Sequence, residues 1–346
     1  MKRYIIASMG GISSIGGVER VMYYLHEILK KNNNVIIIDK KVITSNFPML
    51  QRIKTDSILI YAIFTSIYIK KIRTKDDVII GNGYNLPFVR KDILFAHGNI
   101  VAFCKNVYHF TNYKLGFLEM FSAWSSKKIL AVSEQTKNEW RKYYRIKKEI
   151  EVIGNGVDCK KFFPIENNLE RDFTILYCGR LELAKGSRRL LELAKCIEQK
   201  SGIKLKMAIP SMTEEMKDFK ELKNTQIYLG KTIDEMNDFY NQGDVFFFPS
   251  EYEGFGLVIL ESLSSGTPVV ASRIGVAEEL ERKQLPGIVT IDKEDNIEKI
   301  IEKIHSVCHE FANICQRNKL HDMINEMYGL EVYKKNIIKI MGLGED

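Results

Sequence analysis

Two carboxylates, Glu253 and Glu261, have seven residues between them in the run Glu251-Tyr252-Glu253-Gly254-Phe255-Gly256-Leu257-Val258-Ile259-Leu260-Glu261-Ser262. Phe248-Pro249-Ser250 closes a strand just before it, and a glycine loop between the two acids gives way to a helix. The backbone amides of Phe255, Gly256 and Leu257 at that helix start can meet phosphate oxygens. A carboxylate at position 261 can accept two hydrogen bonds from a vicinal diol such as a ribose, and Glu253 is placed to address a sugar. Either acid alone reads as an ordinary helix or loop residue; the whole run does not.

A second constellation is Tyr177-Cys178-Gly179-Arg180-Leu181-Glu182-Leu183-Ala184-Lys185-Gly186. A strand ends at Gly179, and two cations five positions apart precede a helix that starts near Ser187. Arg180 as a planar fork and Lys185 as a point charge could clamp a diphosphate; paired surface ions are the plainer reading. A third is Gly16-Gly17-Val18-Glu19-Arg20, between the first strand and the first long helix. Gly16 and Gly17 permit close backbone approach to an anion at the helix N-terminus. Their spacing fits neither the G-x-G-x-x-G dinucleotide fingerprint nor a Walker loop.

The elements that must position these residues alternate. Residues 4–8, 35–39, 78–81, 93–96, 129–132 and 151–153 read as strands, and 18–30 and 136–144 as amphipathic helices. The rhythm breaks at the turn-rich Ile153-Gly154-Asn155-Gly156-Val157-Asp158, Pro164 and a polar stretch, 166–172. It restarts with a strand at 173–178, a helix at 188–199, and strands at 205–209, 227–229, 245–249, 268–271 and 287–291. Strand-then-helix order predicts two doubly wound parallel sheets. The expected organisation is an N-terminal Rossmann-like domain over 1–157, a second over 158–328, and a closing helix within 329–346 that returns to the first.

Composition narrows the classes. At 346 residues, 45% hydrophobic and 27% charged, the chain is long enough for two buried cores and is not disordered. Its longest apolar stretch, 57–69, is shorter than the ~20 residues a membrane-spanning helix requires, and residues 1–11 read as a first strand rather than a secretory signal. The six cysteines form no C-x-x-C pair, which suggests neither a disulfide framework nor a zinc site, and a reducing, cytoplasmic setting is expected. The net charge of +7 includes basic clusters at Lys70, Lys71, Arg73 and Lys75 and at Arg141, Lys142, Arg145, Lys147 and Lys148. The second cluster interleaves Trp140, Tyr143 and Tyr144. It is either a segment that docks on an anionic membrane surface or a solvated helix whose aromatics face the core. No nucleic-acid module is recognisable, so nucleic acid is not an expected partner.

The run from Glu253 to Glu261 resembles the E-x7-E signature of retaining glycosyltransferases with the GT-B fold, in particular glycosyltransferase family 4. Gly16-Gly17-Val18-Glu19, Ala131-Val132-Ser133-Glu134, Ile153–Asp158, Gly179-Arg180 with Lys185-Gly186, and Gly266-Thr267-Pro268-Val269-Val270-Ala271 follow the family's order of motifs. The resemblance implies a retaining hexosyltransferase that moves a sugar from a nucleotide-sugar, taken as a UDP-sugar, to a glycan or lipid-linked acceptor in surface polysaccharide or glycolipid synthesis. It implies Arg180 and Lys185 on the donor diphosphate, Glu261 on the ribose, and Glu253 on the transferred sugar. Phe255, Gly256 and Leu257 would offer amides, with Gly16 and Gly17 near the phosphates. It also implies His97, in Ala96-His97-Gly98, beside the sugar, and Gly230, Lys231 and Thr232 beside the base. The region 40–91 matches the family weakly, which leaves the acceptor open. No D-x-D triplet occurs, in keeping with metal-independent chemistry and no cofactor. A nucleotide-sugar epimerase, a sugar phosphorylase or a catalytically silent sugar-binding subunit would use the same architecture.

Overall fold

The computed structural model describes residues 2–13, 16–53, 57–107, 113–166 and 172–343. The polar stretch expected after Pro164 therefore lies largely outside the described residues. The chain forms two compact units, one of residues 1–155 with 334–346, the other of residues 156–333.

The first unit carries strands β1 (Arg3–Ala7), β2 (Asn34–Ile38), β3 (Val78–Asn82), β4 (Lys91–Ala96), β5 (Ser126–Ala131) and β6 (Ile150–Val152), in the spatial order β2-β1-β3-β4-β5-β6. All pairings are parallel. Runs such as Tyr4-Ile5-Ile6-Ala7 are buried throughout, the pattern of a sheet covered on both faces. The helices α1 (Gly17–Leu29), α2 (Lys40–Asn46), α3 (Met49–Ile53), α4 (Ile58–Ile72), α5 (Ile100–Asn106), α6 (Tyr113–Trp124) and α7 (Glu134–Tyr144) supply that cover. The apolar stretch near residue 60 becomes α4. No described helix is long and apolar enough to cross a membrane.

Of the two readings of residues 140–148, the structure supports the second: Trp140 and Tyr144 face the core. Ser133 caps α7 by accepting from Thr136 N, and the helix buries Thr136, Trp140 and Tyr144, each four residues after the last. Trp140 is 0% exposed and its indole N–H donates to Gly98 O at 2.7 Å. The two rings pack edge to face 5.4 Å apart. A stripe of that period sits on one helix face, and here that face meets the core. Only Tyr143 stays half-buried, under Lys105 and Lys142.

The second unit holds β7 (Phe173–Cys178), β8 (Ile203–Ile209), β9 (Thr225–Leu229), β10 (Val245–Phe248), β11 (Val269–Ser272) and β12 (Ile288–Ile291), in the order β12-β11-β10-β7-β8-β9. It too is parallel throughout. The helices are α8 (Ser187–Glu198), α9 (Met216–Lys220), α10 (Met236–Asn241), α11 (Leu257–Ser264), α12 (Val276–Arg282), α13 (Ile297–Glu310) and α14 (Ile314–Tyr328). α15 (Leu330–Met341) begins in this unit and ends in the first. The chain winds outward from β7 through β8 to β9, then crosses back to add β10 on the other side of β7. The loops leaving β7 and β10 therefore run in opposite directions and open a crevice at the carboxyl edge of the sheet, where ligands of such folds bind.

Candidate functional site

Both halves of the strongest sequence signal arrive at that crevice. The loop after β7 carries Gly179, Arg180 and a single 3-10 turn, Leu183–Lys185; the loop after β10 carries Ser250 and Glu253. The two loops are tied together. Glu251 N and the buried Ser250 Oγ both donate to Ala184 O, at 2.9 and 3.0 Å. Gly186 sits at φ +74°, and a Cβ there would lie 2.6 Å from the Pro249 carbonyl carbon and closer still to its oxygen. Only glycine allows this approach. As a result Lys185 Nζ forms an ion pair with Glu253 Oε1, both side chains being largely buried, and Ser250 Oγ donates to the same oxygen at 3.3 Å. Arg180 turns outward, 66% exposed, to Glu182 at 3.1 Å. Its carbonyl is held by the Tyr177 hydroxyl at 2.9 Å. Burial, with help from nearby Cys178, Glu253 and Glu182, pushes the Tyr177 phenol above its ordinary range, so it remains a donor.

Glu261 lies one turn into α11. It is buried, and its Oε2 accepts from the Tyr240 hydroxyl at 3.0 Å. Gly256 opens α11 at φ +96°. The preceding loop is fixed from outside: Val276 N donates to Phe255 O at 2.8 Å, and Gly275 leaves room where a Cβ would strike that carbonyl. The first-turn amides of an α-helix have no intrahelical acceptor and carry the positive end of its dipole, so the amides over 255–257 can receive an anion or hydroxyl. Gly230, Lys231 and Thr232 follow β9 on the same carboxyl edge. Gly230 turns at φ +65°, Lys231 Nζ lies 5.0 Å from the centre of the Tyr228 ring, and Thr232 is engaged in a reciprocal cap with Glu235. The structure thus joins Lys185 directly to Glu253. Arg180, Glu261 and the 230–232 turn stand on the same sheet edge.

Gly16, Gly17 and His97 belong to the other unit. Gly16 caps α1 at φ +86°, and Gly17 faces open space. The anion nearest this loop is the chain's own Glu19, against which a Cβ on either Gly10 or Gly16 would collide. An acid in the first turn suits the α1 dipole. His97, after β4, stacks on Phe95 at 6.1 Å, and its Nε2 is enclosed with no hydrogen-bond partner among the described residues. Burial holds its imidazole at about 4, so it is neutral at ordinary pH. At the ends of β1 and β2 a cavity of about 680 Å³ is lined by Met9, Asp39, Lys40, Lys41, Gln51 and Tyr61 among others.

Sequence reasoning passed over Ser250, Tyr240, Gly186 as a contact residue, and Gly275. Lys-Gly before a helix is a signal for the third; the others have none, because the partners that hold them, Ala184 for Ser250, Glu261 for Tyr240 and Phe255 for Gly275, lie about 20 to 66 positions away in the chain.

Residues 158–328 match the family model Glycosyl transferases group 1, and residues 15–161 match Glycosyltransferase Family 4. The capsular polysaccharide biosynthesis glycosyltransferase CapM of Staphylococcus aureus is 27% identical over 220 residues, 58% of this chain and 57% of CapM. A UDP-Gal:alpha-D-GlcNAc-diphosphoundecaprenol alpha-1,3-galactosyltransferase of Escherichia coli is 28% identical over 238 residues, 63% of this chain and 60% of the relative. The matched stretch thus spans under two thirds of either relative. The solved structure of Anabaena HepE in complex with UDP and glucose superposes with a TM-score of 0.72 at 14% identity, covering 99% of this chain and 100% of HepE. That likeness establishes the fold, the two-unit Rossmann-like GT-B class expected from the sequence.

Proposed function

The chain belongs to the glycosyl transferases group 1, and from that premise we propose that it transfers a hexose from a UDP-sugar, with retention, to a glycan or lipid-linked acceptor in polysaccharide or glycolipid synthesis. The observation that carries this reading is the Lys185–Glu253 pair beside the α11 N-terminus. It sets a cation for a diphosphate next to a carboxylate for sugar hydroxyls, in a crevice that already favours anions.

The chemistry asks for stabilisation where charge develops. As the C1–O bond to the diphosphate breaks, negative charge grows on the leaving group. Arg180, Lys185 and the amides at 255–257 would receive it, in place of a metal ion. Donor binding would let Lys185 exchange Glu253 for phosphate and release that carboxylate to the sugar. Glu261, held by Tyr240, is assigned to the ribose, and the 230–232 turn to the base. The acceptor hydroxyl forms the new C1–O bond and its proton passes to the departing phosphate, so no protein base is required. His97, neutral and with an unpaired Nε2, suits a hydrogen bond to a sugar hydroxyl. The cavity with Lys40 and Lys41 is assigned to the acceptor. UDP-containing complexes of HepE and the UDP-Gal specificity in the name of the Escherichia coli relative support the uridine choice.

Calorimetry with UDP-sugars in EDTA, followed by steady-state kinetics, tests this. Glu261→Ala should weaken donor binding by about 10- to 100-fold, since it leaves hydroxyls unpaired. Glu253→Ala should mainly lower turnover. Loss of nucleotide binding on chelation would reject the metal-free site, and near-normal kinetics in both variants would show the seven-residue spacing to be accidental.

A further inference from the structure

The helix α6 has two dissimilar faces. Gly116, Leu118, Glu119, Ser122 and Ala123 are buried. Phe117, Phe121 and Trp124 recur at i, i+4 and i+7 and point outward. Phe88, from the loop between β3 and β4, joins them: its ring lies 6.4 Å from Phe121, which meets Trp124 edge-on at 5.7 Å. These four large apolar residues are 42% to 61% exposed. The Trp124 indole N–H donates to Tyr144 O at 3.1 Å, so the polar end of the ring is satisfied from within and the outward face makes no polar demand.

The border of this face is basic. Lys114 stands three residues before Phe117, on the same side of the helix, and Arg90 two residues after Phe88; both are exposed. Lys127 and the exposed Arg145 flank it near Trp124, and Lys148 Nζ donates to Ala123 O and Trp124 O at 3.0 and 3.1 Å, closing the α6 C-terminus. Against these five cations stand Asp92, paired with Lys127 at 2.6 Å, and the exposed Glu149.

We propose that this aromatic face of α6 docks the first unit on an anionic lipid surface, with the rings at the interface and the surrounding cations on headgroups. A second copy of the chain fits less well, because a two-fold interface would set the same cationic rim against itself. Of the basic residues singled out in the sequence at 141–148, Arg145 flanks this face and Lys148 closes the end of α6, while the aromatics that insert come from another helix. The inference rests on this surface alone and does not require the donor assignment.

The full chain, without nucleotide, should be mixed with vesicles of phosphatidylcholine alone or with phosphatidylglycerol. The chain has two tryptophans, and the other, Trp140, is buried, so changes in emission report Trp124. A blue shift, and quenching by brominated lipid, should occur with anionic vesicles and fade with salt. The double variant Phe117→Ser/Phe121→Ser should lower vesicle partitioning by about tenfold or more. Lys114→Glu/Arg90→Glu, at exposed positions, should do the same with an unchanged melting curve. Three results would overturn the proposal: no emission shift or sedimentation with anionic vesicles, sedimentation of both variants like the parent, or a concentration-dependent dimer that shields Trp124 in the absence of lipid binding.

Discussion

Replacing Gly186 by alanine isolates the contact that joins the loops after β7 and β10. At φ +74° an L-residue pays about 1–2 kcal/mol for the left-handed conformation. The new Cβ would also lie 2.6 Å from the Pro249 carbonyl carbon, whereas carbon atoms rest about 3.5–4.0 Å apart. The loops must therefore separate by roughly 1 Å. That strains the Glu251 N and Ser250 Oγ hydrogen bonds to Ala184 O, each contributing about 1 kcal/mol. The total is roughly 3–4 kcal/mol. Gly202 is the matched control: φ is +75°, and nothing lies within 4 Å of its would-be Cβ, so Gly202→Ala should cost only the backbone part, about 1–2 kcal/mol. Urea unfolding of both variants gives the difference, expected at about 2 kcal/mol. Calorimetric titration with a UDP-sugar should show weakened binding for Gly186→Ala and unchanged binding for Gly202→Ala. Equal destabilisation of the two, or full donor affinity in Gly186→Ala, would refute the view that this approach positions Lys185 against Glu253.

Glu119 supplies a pH test. Burial raises its carboxyl to about 7, although Ile100 N and the Tyr144 hydroxyl donate to it at 2.9 and 2.5 Å. The folded protein holds this proton more tightly than the unfolded chain, whose carboxyl titrates near 4.5. Its contribution is therefore full below about 4.5 and is lost as pH rises to about 7, by roughly 3 kcal/mol. Thermal melts from pH 4 to 8 should show Glu119→Gln removing that fall; an unchanged pH profile in the variant would dismiss the assignment. Trp140→Ala should destabilise the first unit by about 3–5 kcal/mol through the cavity it leaves, read as a lower urea midpoint; a loss under about 1 kcal/mol would contradict its burial.

Much of this molecule was legible along the chain because its regularities are local. Strand-and-helix alternation follows from patterns a few residues long: the second unit's first strand is observed at the expected residues, Phe173–Cys178, and the expected helix near Ser187 begins there. Doubly wound parallel sheets follow from that alternation, since a parallel neighbour needs a crossover. Glu253, Glu261, Arg180 and Lys185 stood out as candidates by type and spacing. What the sequence could not decide was which groups meet. Lys185 and Glu253 are 68 positions apart, and their pairing depends on β7 and β10 lying side by side and on Gly186 passing under Pro249. Composition also left open which aromatics are exposed. Trp140 and Tyr144 share a face of α7 that packs inward, while Phe117, Phe121 and Trp124 share a face of α6 that does not. A helix period tells which residues lie together on one side; only packing against the rest of the fold decides which side meets water.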